Sequence, residues 1–279
     1  MENIKLQRIL VVLVNYGIEQ LSYLDIVIAE FRSFKNYNVK IVVNSNIPLE
    51  NENIDILNVI KLDDYQLLPL TCRKVIWENR KDFDIFIYGE NDHLIREKHI
   101  DKHLYYTKIL PSNRISGLIQ YEADETGKYY PGYHADFEWD FKRVEVYGGK
   151  VFAHFSNLHQ ASFILTQHQL LRVGYNIDFN NLVNEKKIWS RLVRKVKDMM
   201  GLSLERQDKY SVKCKVNTDV FNFGGMKKMI CITEFEDNLI HHLPNIYIDG
   251  LRGRKKYRGD GNRMNDAINR LLNIPYLPK

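Results

Sequence analysis

Short runs that are apolar at every position alternate, over the first 95 residues, with stretches in which apolar residues recur every three or four positions. "RILVVLVNYG" (8–17) is apolar and β-branched up to Val14 and closes on Asn15 and Gly17, which predicts a strand buried in a parallel sheet. "SYLDIVIAEFRSF" (22–34) has helical spacing, with Ser22 as its N-cap candidate. "NVKIVVNSN" (38–46) and "IDILNVIKL" (54–62) predict two more strands. "LPLTCRKVIWENRKDF" (68–83), with Pro69 near its start, predicts a helix that delivers the chain into the strand "DIFIYGEND" (84–92). The order β-α-β-β-α-β predicts an α/β fold with a mostly parallel central sheet flanked by helices.

The second half is less regular. "DKHLYYTKILPS" (101–112) reads as a helix and "RISGLIQYEAD" (114–124) as one strand. Residues 124–140 form a polar, aromatic loop punctuated by Gly and Pro. "KRVEVYGGKVFAHFS" (142–156) predicts a hairpin turned at Gly148 and Gly149. "ASFILTQHQLLRVG" (161–174) reads as a helix ended by Gly174, and "KKIWSRLVRKVKDMMGL" (186–202) as a basic amphipathic helix. A basic loop from Gly250 leads into a short last helix. With no internal repeat or low-complexity linker, the chain reads as one domain over 1–279, with a regular half over about 1–95 and a less regular half and basic tail over about 96–279.

Composition narrows the class. At 279 residues, 44% hydrophobic and 27% charged, the chain can bury a full core and is not of the disordered type. A net charge of +5 suits an anionic small ligand and, with no recognised motif, does not point to nucleic acid. Cys72, Cys214 and Cys231 lack metal-ligand spacing and are odd in number, which favours a reducing, cytoplasmic setting. The apolar part of the N-terminus stops after Val14 with no cleavage-site pattern behind it, and no stretch reaches the length of a membrane span.

The chemistry concentrates at "YGENDHLI" (88–95). In open α/β sheets ligands bind beyond the carboxyl ends of the strands, and there Glu90 and Asp92 can both turn toward a hard divalent cation, Mn²⁺ or Mg²⁺. The competing reading is a solvated turn with an Asx-type cap. Asn15 and Asn44, at the ends of the first two strands, are candidates to hydrogen-bond a base or ribose, against ordinary turn chemistry. Arg73, with Lys74 beside it, is a candidate for the diphosphate, against a plain helix surface. Asn157, His159 and Gln160 form a candidate substrate-binding segment, against a helix cap at Asn157. His241 and His242 precede a proline turn; neighbours point apart, so one can be a ligand while the other packs. A carboxylate base for a hydroxyl acceptor has candidates in Glu185, Asp136 and Glu138, with Asp124, Glu125 and Asp140 beside them. "RGRKKYR" (Arg252 to Arg258) can meet a diphosphate, a polyanionic acceptor or a membrane surface, against a solvated basic loop.

"CRKVIWENRKDFDIFIYGENDHLI", "NLHQASFILTQHQL" and "HHLPNIYI", in that order, resemble a branch of the GT-A glycosyltransferases with a "Y-x-E-D-D" turn, an "H-Q-A" segment and a late "H-H-L-P-N" stretch. The resemblance runs from about residue 8 to residue 250 and implies a single GT-A-like domain with a nucleotide-binding half over about 1–95 and an acceptor-binding half over about 96–279. It implies a nucleotide-sugar donor, most often a UDP-sugar, a glycan or glycolipid acceptor, and a divalent metal on the acidic turn. By position Glu90 and Asp92 match the outer acids and His242 the late metal histidine, with His241 as the alternative; Asn91 stands where the branch more often has Asp. Two other classes stay open: a nucleotidyltransferase on a similar sheet, disfavoured by the single glycine of "NYGIEQ", and a non-catalytic sugar- or nucleotide-binding module.

Overall fold

Strand β1 (Gln7–Asn15) lies at the centre of a five-stranded sheet and divides its side chains between two cores. Leu10, Val12 and Val14 face a core shared with Leu68, Cys72 and Ile76; Ile9, Val11 and Leu13 face one shared with Leu24, Val27, Ile28 and Phe31. Helices therefore cover both faces, and the strand needs no polar side. The computed structural model describes residues 6–133, 137–184, 210–248 and 261–275.

Helix α1 (Leu21–Arg32) follows β1, then β2 (Tyr37–Ser45) and β3 (Ile56–Val59), all strands running parallel. A single 3₁₀ turn (Tyr65–Leu67) precedes α2 (Leu68–Glu78), and β4 (Ile85–Glu90) then pairs parallel with β1. In the β1–β4 register Val14 sits opposite Glu90, so the carboxyl ends of the two strands share one rim. Ser22 is not the cap of α1. Gln20 takes that position without a side-chain bond to the helix, because its amide is turned to Asp92.

Beyond β4, the short β5 (His93–Leu94) leads into α3 (Glu97–Ile109). "RISGLIQYEAD" is not one strand. It breaks at Gly117 into β6 (Arg114–Ser116) and β7 (Ile119–Asp124), which join different sheets. A Cβ on Gly117 would collide with the buried Lys228 side chain, so the break is where that lysine passes. β7 turns into β8 (Gly127–Tyr129), and β9 (Glu145–Tyr147) pairs with β10 (Lys150–Ala153) across Gly148 and Gly149, both at positive φ as a two-residue hairpin turn requires.

The stretch expected as a helix from 161 is instead a strand, β11 (Ser162–Thr166), antiparallel to β4, followed by α4 (Gln167–Asn176). Phe163 and Leu165 pack into one core while Ile164 enters the other, the period of a strand. Thr166 then caps α4 by accepting from Gln169 N. Gly174 does not end α4; it lies within the helix because a Cβ there would run into the Trp77 ring. After it come α5 (Val212–Phe223), β12 (Lys227–Cys231), β13 (Leu239–His242) and α6 (Gly261–Leu272). β12 joins β6, β10 and β9 in a second sheet, and β13 lies between β5 and β7 in a third. The fold is α/β with mixed sheets. No helix among the described residues is long and apolar enough to cross a membrane. The helix expected over 186–202, Glu185, Asp136 and the basic run Arg252 to Arg258 lie outside the described residues.

Candidate functional site

A cleft of about 770 Å³ opens at the carboxyl ends of β1 and β4. Its floor is made by two sheets meeting. The chain leaves β4 through Asn91 and Asp92, enters β5, and pairs antiparallel with β13, so that His242 stands opposite His93. Leu243 N donates to Asp92 O at 2.9 Å and locks this junction. Strand pairing thus brings residue 242 to residue 92. The alternation of β13 turns His242 to the cleft and His241 to the other face, where it stacks on Tyr121 at 4.8 Å.

Asp92, His93 and His242 are all buried, and each offers a ligand atom within 4.8 Å of the others. His93 Nδ1 donates to Asp92 Oδ1 at 2.5 Å, and the Gln120 amide nitrogen lies 2.6 Å from His93 Nε2. Gln20 donates to Asp92 Oδ2 at 3.0 Å. The two imidazole rings stack with centroids 4.7 Å apart. His242 Nε2 is 3.4 Å from Asp92 Oδ2, while its Nδ1 is 2.6 Å from Glu122 Oε1. A carboxylate with two imidazoles is a donor set that can hold a metal ion.

The electrostatics follow from burial and pairing. Burial alone would raise the Asp92 carboxyl, but His93 and His242 hold it well below the usual carboxylate range. Burial would likewise lower His242, and hydrogen bonds to Asp92 and Glu122 override it, lifting the ring to about 9. For His93 burial wins, and the ring is held below its ordinary value. Glu90 also lines the cleft, beside the group rather than within it. Its Oε1 is buried without a hydrogen-bond partner, and burial with the nearby Asp92 charge raises the carboxyl to about 7.

The remaining sequence candidates divide. Of the substrate-binding segment only His159 lines the cleft, its ring held by the Asn217 amide at 3.1 Å with Cys214 Sγ 4.0 Å away. Asn157 accepts from His159 N and donates to Gly132 O, an Asx turn rather than a helix cap. Gln160 is buried and accepts from Leu118 N at 2.9 Å. Asn15 does not face a ligand: it donates to Ser45 Oγ and Gly17 O and accepts from Asn91. Asn44 is spent between Thr71 and Asn58.

Arg73 departs most from expectation. Its side chain is fully buried, donates to Phe179 O at 2.7 Å, lies over the Phe179 ring and sits 3.8 Å from Asp219. It ties α2 to α5 and cannot reach a diphosphate. Glu138 accepts from Tyr133 Oη, Trp139 N and Arg263, away from the cleft. Asp124, Glu125 and Asp140 do not line it either.

The sequence reading missed His93, Gln120 and Glu122. His93 adjoins Asp92 in the stretch that drew attention first. Gln120 and Glu122 are two apart on one strand face, polar positions alternating with Ile119, Tyr121 and Ala123, and that alternation was the available signal. Tyr16 and Tyr65, with rings 5.5 Å apart, form the cleft's aromatic wall, and Lys213 joins His159 and Cys214 on another. Comparison with protein-family models gives no match, and comparison with curated proteins gives none either.

Proposed function

We propose that the chain is a metal-dependent glycosyltransferase of the GT-A type, moving a sugar from a nucleotide-sugar donor, a UDP-sugar in the first instance, to a hydroxyl of a glycan or glycolipid. The observation that carries this reading is the Asp92–His93–His242 group on the floor of a cleft at the carboxyl ends of parallel strands. The sheet order, with β1 between β2 and β4 and β3 at the edge, supports a nucleotide-binding half.

Two imidazoles beside one carboxylate suit Mn²⁺ better than Mg²⁺, which prefers an all-oxygen shell. Bound there, the cation would neutralise charge on the departing nucleoside diphosphate. Asp92, His93 and His242 would hold it, His93 by giving up the Nδ1 proton it shares with Asp92 and donating Nε2–H to the Gln120 amide oxygen turned toward it, with Gln20 fixing Asp92. Tyr16 and Tyr65, their rings tilted 54° to each other, offer aromatic faces on which a base can stack. Lys213 and His159 line the side on which a diphosphate would extend. Glu90, which lines the cleft and has a buried Oε1 without a hydrogen-bond partner, takes the role of proton acceptor for the incoming hydroxyl, in place of Glu138. A screen of nucleotide-sugars for Mn²⁺-dependent hydrolysis tests the reading. Turnover of at least one donor that stops on adding EDTA is expected; no metal-dependent turnover or binding of any donor counts against it.

A further inference from the structure

We propose that Glu122 is the positioning residue of this centre, fixing the tautomer and orientation of His242 so that Nε2 is the atom offered to a cation. The inference rests on the metal-site reading above. Glu122 is completely buried in β7, where an isolated carboxylate is costly and an apolar side chain would pack more easily. Its only ion-pair partner among the described residues is His242, 2.6 Å away.

The geometry permits little freedom. Oε2 accepts from Ile248 N at 2.8 Å and Tyr247 N at 3.0 Å, so the carboxylate is anchored to backbone and cannot swing away from the ring. Because Glu122 is acceptor-only when ionised, Nδ1 of His242 must carry the proton that joins them. In the neutral ring the lone pair is then on Nε2, the nitrogen that faces Asp92. Metal-binding histidines are commonly held this way, by a carboxylate behind the ring. His93 has only the Gln120 amide behind it, so the two histidines are not equivalent, and His242 is the one set by a charge.

The rival explanation is that Glu122 merely anchors the turn at Tyr247 and Ile248. Mn²⁺ affinity measured by calorimetry on the full chain, Glu122→Gln, His242→Ala and the double variant separates the two. Glu122→Gln is expected to weaken binding about 10- to 100-fold and to add nothing once His242 is alanine, because the glutamate acts through that ring. An equal loss in both backgrounds, or no loss in either, overturns the positioning role. A second measurement needs no variant. In ¹⁵N-labelled protein, Zn²⁺ should shift Nε2 of His242 while Nδ1 keeps its proton; a shift at Nδ1 instead overturns the proposal. If the unmutated chain binds neither Mn²⁺ nor Zn²⁺, the metal reading falls and the positioning role with it. Binding that Glu122→Gln leaves unaltered removes the positioning role alone.

Discussion

The side-chain amide of Asn91 donates to Oδ1 of Asn15 at 2.8 Å, tying the acidic turn to the end of β1. Asn15 in turn donates to Ser45 at the end of β2, so one chain of amides and a hydroxyl aligns three strand ends beneath the cleft. Asparagine at position 91 therefore has a physical reason: the position needs a donor. Asn91→Asp would set a carboxylate against the Asn15 carbonyl and add a third acid between Glu90 and Asp92. Losing a buried hydrogen bond and leaving its acceptor unmet costs about 1–3 kcal/mol, which lowers Tm by several degrees in a thermal melt. Asn91→Ala should cost less than Asn91→Asp.

Arg73 is expected to be a stability residue. Arg73→Ala removes one partner of a buried pair and strips hydrogen bonds from Phe179 O, a change that costs about 3–5 kcal/mol in comparable sites. Denaturant melts should show the loss, while Mn²⁺ affinity at low temperature stays near that of the unmutated chain. Loss of nucleotide binding without loss of stability would restore Arg73 to the ligand site.

Acid should destabilise the fold well before its carboxylates titrate fully. His99 and His103 are buried and held to about 4 by that burial, against 6.5 unperturbed. As pH falls from 6.5 to 4, the unfolded chain takes up protons that the native rings refuse, so stability drops through that window. His103 sits between Ser116 and Gln169, away from the cleft, so His103→Gln should flatten the slope of Tm against pH. An unchanged slope would show that His103 is protonated in the fold.

Lys228 carries the same sign into the alkaline range. It is fully buried, with Leu158 O at 3.4 Å and the Phe221 ring beneath it, and burial lowers its ammonium to about 7, against 10.5 unperturbed. Between these values the unfolded chain binds the extra proton, so stability rises with pH from 7 toward 10.5. Lys228→Met keeps the stem that Gly117 makes room for and removes the charge; Tm at pH 7 should rise and the alkaline slope should flatten.

The parallel half was legible because its strands are sandwiched between helices. Residues 9–14 and 85–88 cannot be anything but apolar there, and the sheet places them as expected. "SFILT" misled because it runs straight into α4, whose cap Thr166 is its own last residue, and an apolar run as short as Phe163–Leu165 has no period of its own to tell strand from helix. A charged residue misled in the other direction. Arg73 reads as a candidate for a diphosphate, against a plain helix surface, and is core, since sequence spacing does not reveal what Phe179 offers a cation. In the site, Asp92 was legible from its place at a strand end, while Glu90, expected as its partner on the metal, lines the cleft without joining the Asp92–His93–His242 group. His242 reaches Asp92 only through the β5–β13 pairing, a long-range contact that no local pattern encodes.

The most direct test of the central claim is calorimetric titration of UDP into the full chain with and without Mn²⁺, repeated on Asp92→Asn. The account predicts binding that requires Mn²⁺ and weakens at least about 10-fold in the variant, which keeps its size but loses a charged ligand. UDP affinity that is the same with Mn²⁺, with EDTA and in Asp92→Asn would contradict it.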